Sequence, residues 1–509
     1  MKLSAVVQSL AKKGFVFTYS SAKGDPAVSD VFSDSRRVLP GSIFCCIAGA
    51  KNDGHQYAPM AEAAGAVALV CEHPVTTELP VLLVESTRDI MGDLASIVYG
   101  EPASKLLMIG VTGTNGKSST TYILRSILQA AGLKSGLLGT VVESDGVRER
   151  DAERTTPESC HIQRQLAAMV KNKCGACVME TSSHGLQGGR LNGCRFDVAV
   201  FTNLNPEHLD FHKNMENYFQ AKRLLFTKYF KEDRKEDQKE NGKGNGNGNG
   251  NRVAAVNADD PYGVRLLKEF PGARGFSFAD LSDVELGMDG SSFTIGTHGP
   301  GGPPLSLKSP LVGNFNVANV LAAVTALRGR FEDAVIAKGV AEIPQIPGRL
   351  EKHRLPNGAC CVIDFAHTPE ALRNILSVAR GFCAGKLISI FGHGGGRYAS
   401  NRPALGAVAA SLADLILVTM DNPRDEDPAT IADDIVEGIE NHSRQEGKET
   451  KYRVILDRKE AISTALCIAG PDDVLVVSGK GAEKYLTIKD QKIPYSDAET
   501  VEDWIRLAK

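Results

Sequence analysis

The chain has 509 residues, 42% hydrophobic and 23% charged, with a formal net charge of -3; this exceeds what one hydrophobic core usually supports and suggests about three domains of ~150 residues. Its ordinary composition excludes a disordered or membrane-embedded protein. Its near-neutral charge excludes bulk attraction to nucleic acid or anionic lipid, so any phosphate binding must be local.

Met1 to Phe17 reads as an amphipathic first helix, because Lys12 and Lys13 interrupt an apolar run too short for a secretory signal. No stretch approaches the ~20 uninterrupted apolar residues of a membrane span. Most of the eleven cysteines, among them Cys45, Cys46, Cys360 and Cys361, sit in apolar strand-like runs, which points to free thiols in a reducing, cytoplasmic compartment. Gly100-Glu101-Pro102 closes the first region, and Leu106 to Val111 opens a strand. Further strands are expected at Ala176 to Glu180 and Val198 to Thr202. Cys174 and Cys177 form a CxxC without the second pair a zinc site needs. From Lys231 to Asn251 a charged run leads into GNGNGNGN; residues 232–251 are expected to be a disordered surface insertion. Two prolines in Ile343-Pro344-Gln345-Ile346-Pro347-Gly348 end the middle region. Beyond them, runs at Cys361 to Phe365, Leu387 to Phe391, Leu415 to Thr419, Arg453 to Leu456 and Val474 to Val477 alternate with helical patterns, predicting βαβ units and a largely parallel sheet. The expected domains are 1–102, 103–344 and 345–509, in an α/β class.

Leu107 to Ser118 reads as an apolar strand, a glycine-rich turn and a helix start. Its residues Gly113, Thr114, Asn115, Gly116, Lys117, Ser118 and Ser119 suit a phosphate cradle. Glycines let backbone N-H groups approach phosphate oxygens, Lys117 supplies charge, Ser118 can ligate Mg2+, and the helix N-terminus adds partial positive charge. A strict P-loop would place glycine where Val111 stands. The loop by itself predicts nucleotide binding and no particular reaction.

Val-Thr followed by GTNGKS resembles the ATP loop of the Mur ligase family and its folylpolyglutamate synthase relatives. Other motifs of that family follow in order: Thr155-Thr156-Pro157, Met179 to His184, Phe201-Thr202-Asn203-Leu204, His208-Leu209-Asp210, Lys222, Gly313 to Asn319, Pro347 to Glu351 and Asp364 to Pro369. The resemblance implies three domains: a small N-terminal α/β UDP-binding domain, a central P-loop ATPase-like parallel sheet and a C-terminal Rossmann-like domain. It also implies ATP and Mg2+. Glu180, at a strand end, and His208, in the loop after the next strand, can hold a metal beside Ser118; a carboxylate at a strand end is otherwise more often structural. For Lys222, in a helical pattern where a lone lysine is normally solvated, the resemblance implies carbamylation. Asn316 and Asn319, spaced i, i+3 on one helix face, suit nucleotide contacts or a capping or packing role. Arg349 is expected to reach ATP phosphates when the C-terminal domain closes, with Asp364 and His367 as phosphate-side partners. The implied chemistry is carboxylate activation by the γ-phosphate, followed by amine attack on an acyl phosphate.

Asp34-Ser35-Arg36, Pro40-Gly41 and Lys51 to His55 resemble the UDP-binding region of the MurE subfamily, which adds the third peptide residue. Ser35, Thr155, Thr156, Ser182 and Arg190 are then implied contacts of the UDP-muramoyl dipeptide. Asp421-Asn422-Pro423-Arg424 resembles the subfamily's meso-diaminopimelate signature, where Arg424 can fork onto the extra carboxylate. Arg397, Gly479 and Glu483 match its other amino-acid contacts. The usual GCGGDRDxGKRP stands here as Gly392-His393-Gly394-Gly395-Gly396-Arg397-Tyr398-Ala399-Ser400-Asn401-Arg402-Pro403, and GKGHE as Gly479-Lys480-Gly481-Ala482-Glu483. These departures leave lysine and ornithine open as the added amino acid. A nucleotide switch without ligation is the reading from another class. A dinucleotide oxidoreductase is weaker, since no GxGxxG opens a helix at Gly392 to Gly396. Expected partners are small-molecule substrates only, without nucleic acid or membrane, for a monomeric enzyme.

Overall fold

The computed structural model describes residues 1–20, 24–49, 52–230, 252–296, 302–447 and 449–508. The insertion at 232–251 and Lys51 lie outside the described residues. The chain forms two compact units: Met1–Ser282 with Thr294–Leu307 and Ala318–Ala341, and Asp283–Phe293 with Lys308–Val317 and Glu342–Lys509.

The first unit holds two sheets. Near the N-terminus, Ala66–Cys71 lies centrally in a five-stranded sheet between Val81–Leu83 and Ser42–Cys45, with Asp30–Phe32 at one edge and antiparallel Thr18–Ser20 at the other. The predicted amphipathic helix is Leu3–Lys12, and its buried residues Leu3, Val6 and Leu10 recur at helical spacing. A second, eight-stranded sheet runs Arg274–Phe276, Val253–Asn257, Val198–Phe201, Leu107–Thr112, Ala176–Glu180, Ser135–Leu138, then Val142–Ser144 and Glu149–Asp151. The first six strands are parallel and the last two form an antiparallel meander. The parallel strands are nearly continuous apolar runs because both faces are covered, as Ile109, Val111, Val178 and Val200 show by being fully buried. In register, Glu180 stands beside Val111 and Phe201 beside Thr112. Three adjacent strands therefore deliver their carboxyl ends to one place, where α/β sheets bind ligands.

The second unit is built on a six-stranded sheet in the order Glu351–Arg354, Cys360–Asp364, Val474–Ser478, Leu387–Phe391, Leu415–Val418, Tyr452–Val454, parallel except for the first strand. Each predicted strand of this region is present, Leu387–Phe391 at its predicted bounds and the others with an end shifted by one or two residues. The expected helix near Pro428 is Pro428–Glu446, started by Asp427, whose carboxylate accepts the Ala429 N-H. All eleven cysteines are free thiols, and Cys174 and Cys177 are buried. Among the described residues no helix is long and apolar enough to cross a membrane.

Candidate active site

The phosphate-loop sequence forms the predicted turn between Leu107–Thr112 and the helix Lys117–Ala130. Two of its glycines are sterically required. A Cβ on Gly113 would fall 1.8 Å from Thr202 Oγ1, and one on Gly116, at φ +83°, would fall 2.2 Å from Asn319 Oδ1. The following strand's end braces the loop: Thr202 Oγ1 donates to Asn115 O at 2.6 Å, and the Asn115 N-H donates to Asn203 Oδ1 at 2.9 Å. Thr114 Oγ1 lies 3.2 Å from the Tyr218 hydroxyl.

Two lysines meet at this loop. Lys117 Nζ donates to Gly113 O at 2.9 Å and Thr114 O at 2.7 Å. Lys222 Nζ, from the helix Met215–Leu224, donates to the same Gly113 O at 2.7 Å and lies over the Tyr218 ring. Lys222 is 1% exposed, not the solvated surface lysine its helical pattern suggests. Burial, reinforced by the Lys117 charge and opposed by Glu207, holds its amine well below the usual lysine range.

Glu180 ends its strand with a buried carboxylate that accepts from the Thr140 N-H at 2.8 Å and Thr140 Oγ1 at 2.9 Å. Gly139 makes room, since a Cβ there would come 2.5 Å from Glu180 Oε1. Thr140 Oγ1, its own proton given to the carboxylate, accepts from the Thr155 hydroxyl at 3.1 Å, and Thr156 Oγ1 donates to Glu180 O at 2.9 Å. The predicted threonine pair is thus joined to the predicted metal-side carboxylate. Ser182 caps the helix Ser183–Gln187 through the Gly185 N-H. Arg190 donates to Thr156 O at 3.0 Å and pairs with Glu158 at 3.3 Å. Ser35 starts a short turn whose Arg37 pairs with Glu153, two residues before Thr155.

His208 adopts a left-handed backbone at φ 56°, a strained conformation for this residue. Its ring stands edge-on to His184 at 4.8 Å. Burial, with His184, Lys117 and Lys222 nearby, lowers its pKa to about 4, so the imidazole is neutral at ordinary pH and able to donate a lone pair. Ser118 and Ser119 are buried at the helix start. Asn319 touches the loop at Gly116 and accepts from Thr120 Oγ1 at 3.4 Å. The Asn316 Nδ2 donates to Val312 O at 2.9 Å, a local bond four residues back along the chain.

In the second unit, Asp364 ends its strand and accepts the backbone N-H groups of Leu350 and Ala366, each at 2.8 Å. Burial raises its pKa against the opposing charge of Arg349, whose guanidinium covers the Phe365 ring at 4.7 Å. His367 Nδ1 lies 3.0 Å from Phe365 O. The loop after Leu415–Val418 is laced to the loop after Val474–Ser478: Asn422 Nδ2 donates to Glu483 Oε2 at 2.9 Å, and buried Lys480 Nζ reaches Asn422 Oδ1 at 3.1 Å and Glu483 Oε2 at 3.0 Å. Gly479, at φ +112°, lies against Asp421, where a Cβ would meet Oδ2 at 2.9 Å. Arg424 has a left-handed backbone at φ 52° and donates to Gly395 O, which places Pro423 between the two anchored residues. Arg397 is exposed. Where the usual motif has an acid, the Gly396 N-H donates to Glu426 Oε1 at 2.6 Å, and Arg402 holds the other oxygen of that carboxylate. A carboxylate from a neighbouring loop therefore occupies that neighbourhood. Sequence reasoning gave no role to Thr140, Thr202, Asn203 or Lys480; their common signal is position just beyond a strand's carboxyl end.

The chain is similar to known proteins in sequence and in fold. The chain matches the Mur ligase family catalytic domain over residues 28–99, the Mur ligase middle domain over 111–327, and the Mur ligase glutamate ligase domain over 348–481. It is 37% identical to the UDP-N-acetylmuramoyl-L-alanyl-D-glutamate--2,6-diaminopimelate ligase of Syntrophomonas wolfei, covering 95% of each chain. It is 40% identical to the enzyme of the same description from Thermosynechococcus vestitus, covering 90% of this chain and 89% of that one. A solved ligase of that description is similar with a TM-score of 0.63 and 28% identity, covering 94% of this chain and 95% of the other. MurF from Thermotoga maritima in complex with ADP shares the fold, with a TM-score of 0.64 and 20% identity, covering 94% and 97%. With relatives matched along almost its whole length and the loop, carboxylate and lysines gathered at one sheet edge, the chain belongs to the Mur ligase family.

Proposed function

We infer that this protein is an ATP-dependent, ADP-forming amide ligase that adds meso-diaminopimelate to UDP-N-acetylmuramoyl-L-alanyl-D-glutamate in peptidoglycan precursor synthesis. The reading rests on nearly full-length relatives bearing that activity in their names. Supporting it is the gathering of Lys117, Glu180, His208 and Lys222 around one phosphate loop. Ligation proceeds by two displacements. A carboxylate oxygen of the dipeptide attacks the γ-phosphorus, the bond to the β-phosphate oxygen breaks, and ADP leaves. The amine nitrogen then attacks the acyl carbon, the carbon-oxygen bond to phosphate breaks, and the nitrogen loses a proton. Lys117 and Arg349 are proposed to offset phosphate charge, with Gly113 to Ser119, Asn316, Asn319, Asp364 and His367 binding ATP. Ser35, Thr155, Thr156, Ser182 and Arg190 would hold the muramoyl dipeptide. Arg397, Asp421, Asn422, Pro423, Arg424, Gly479 and Glu483 would hold the amino acid.

Mg2+ suits the donor set: hard oxygens from Ser118 and Glu180 and the neutral imidazole of His208 would hold it, and when bound it neutralises phosphate charge. Lys222 is proposed to be carbamylated. Two ammonium groups on the Gly113 carbonyl repel one another, whereas a neutral buried amine attacks CO2, forms an N-C bond and releases a proton. The resulting carboxylate faces Lys117 with the opposite sign. The enzyme is further proposed to act as a cytoplasmic monomer, with domain boundaries near residues 102 and 344. ADP release separates this reading from a nucleotide switch: it should require both muramoyl dipeptide and diamino acid, and hydrolysis indifferent to the amine would favour the switch.

A further inference from the structure

Arg458 is the first residue of the helix Arg458–Ile468, an end where the helix dipole disfavours a cation, and its side chain is fully buried. Its guanidinium is used from every side. Nε and Nη2 donate to the two carboxylate oxygens of Asp497, each at 2.8 Å, and Asp497 is equally buried at the start of the helix Asp497–Leu507. The Tyr495 hydroxyl donates to Asp497 Oδ1 at 2.9 Å and steadies that carboxylate. The guanidinium then makes two further bonds, Nη2 to Ser478 O at 2.9 Å and Nη1 to Met420 O at 3.2 Å.

Those two carbonyls are the roots of the two loops already described. Ser478 ends one strand just before Gly479, and Met420 immediately precedes Asp421. The strands that lead to them are not neighbours, since Leu387–Phe391 runs between them in the sheet. No ladder hydrogen bond therefore joins them directly, and their register passes through the strand between them. A buried ion pair contributes little net stability compared with an apolar pair of the same shape, so stability is a poor account of this arrangement. What a planar fork does, and an apolar pair or a lysine does not, is hold one carboxylate while reaching two separate carbonyls.

We propose that Arg458, oriented by Asp497 and Tyr495, is a positioning residue that sets the register between the loops 421–424 and 479–483 and thereby governs affinity and selectivity for the incoming diamino acid. The proposal rests on the ligase reading above. Fully buried, Arg458 acts through Asp421, Asn422, Arg424 and Glu483, adding its two carbonyl bonds at the loop roots to the Asn422 and Lys480 hydrogen bonds that lace the loops further out.

The test uses the full chain with Arg458→Lys and Tyr495→Phe, following the melting midpoint, the KM for each of the three substrates, and the preference for meso-diaminopimelate over lysine. Arg458→Lys keeps a charge beside Asp497 but cannot span both carbonyls. It should raise the diaminopimelate KM about ten- to hundredfold and erode the preference over lysine, with the KM for ATP and for muramoyl dipeptide held within about twofold. Tyr495→Phe, the milder change, should move the same KM in the same direction by less. Equal changes in all three KM values, or a fall in the melting midpoint alone, would overturn the assignment. If Arg458→Lys does not fold, an unchanged diaminopimelate KM in folded Tyr495→Phe does so. A wild-type chain inert with every diamino acid overturns the ligase reading and the assignment with it, whereas an active wild type with indifferent variants overturns the assignment alone.

Discussion

Lys222 and His393 show what a single buried titratable group contributes. If the Lys222 amine reacts with CO2, the intact protein kept in bicarbonate should carry the mass of one added CO2, lost on acidification. Lys222→Arg should lack the adduct and lose ligase activity while still folding; full activity in that variant would contradict the role. His393 is 4% exposed and its Nδ1 has no hydrogen-bond partner among the described residues. Burial, with the Arg402 charge, lowers its pKa from 6.5 to about 4. As pH falls, the unfolded chain takes up this proton near pH 6.5 and the folded chain only near 4. The unfolded state therefore gains stability across that window, and nothing changes above it. His212, also near 4, adds to the same trend. The melting midpoint of His393→Gln should fall less than that of wild type between pH 6.5 and 4.5, about the span of this shift; parallel curves would count against it. At this scale the sequence was least informative. A lysine in a helical pattern looks the same whether solvated or buried, because burial is decided by what packs above it, here the loop at Gly113 and the ring of Tyr218.

Elements were more legible than residues. Strands buried on both faces read as apolar runs, so Ala176–Glu180 and Leu387–Phe391 fall where predicted, and the glycine-rich turn announces its own conformation. Strand order was not legible, because pairing is a long-range choice. That Leu107–Thr112 lies between Ala176–Glu180 and Val198–Phe201 is what makes Thr202 and Asn203 braces of the phosphate loop. Thr202→Val keeps the side-chain shape but removes the bond to Asn115 O. It should weaken ATP binding by ~1 kcal/mol, about fivefold, with little change in melting midpoint; calorimetric titration with a non-hydrolysable analogue reads the difference. Unaltered affinity would mean that the brace does not shape the nucleotide site. The helix carrying Asn316 and Asn319 illustrates the opposite limit. Both amides share a face by spacing, yet one bonds back to Val312 O and the other meets Gly116.

Across the whole molecule, the order of motifs carried further than any one of them. A glycine-rich loop alone left switch and ligase equally open, while the later appearance of Glu180, Lys222, Arg349 and the Asp421-to-Arg424 loop fits ligation chemistry. The amino acid itself depends on few contacts. Arg424 forking onto a second carboxylate is worth ~1.5 to 3 kcal/mol, about ten- to hundredfold in discrimination, and an unpaired lysine ammonium facing it would add to the preference. The departures at Gly396 and Ala482 fall in the loops that would make these contacts, so a change in amino acid preference would arise there. Parallel incubation of the protein with ATP, the UDP-muramoyl dipeptide and either meso-diaminopimelate, lysine or ornithine, with the product mass read directly, addresses it. A tripeptide product with meso-diaminopimelate, in clear excess over the other two, is the predicted result; an inert meso-diaminopimelate beside an incorporated lysine or ornithine would contradict it.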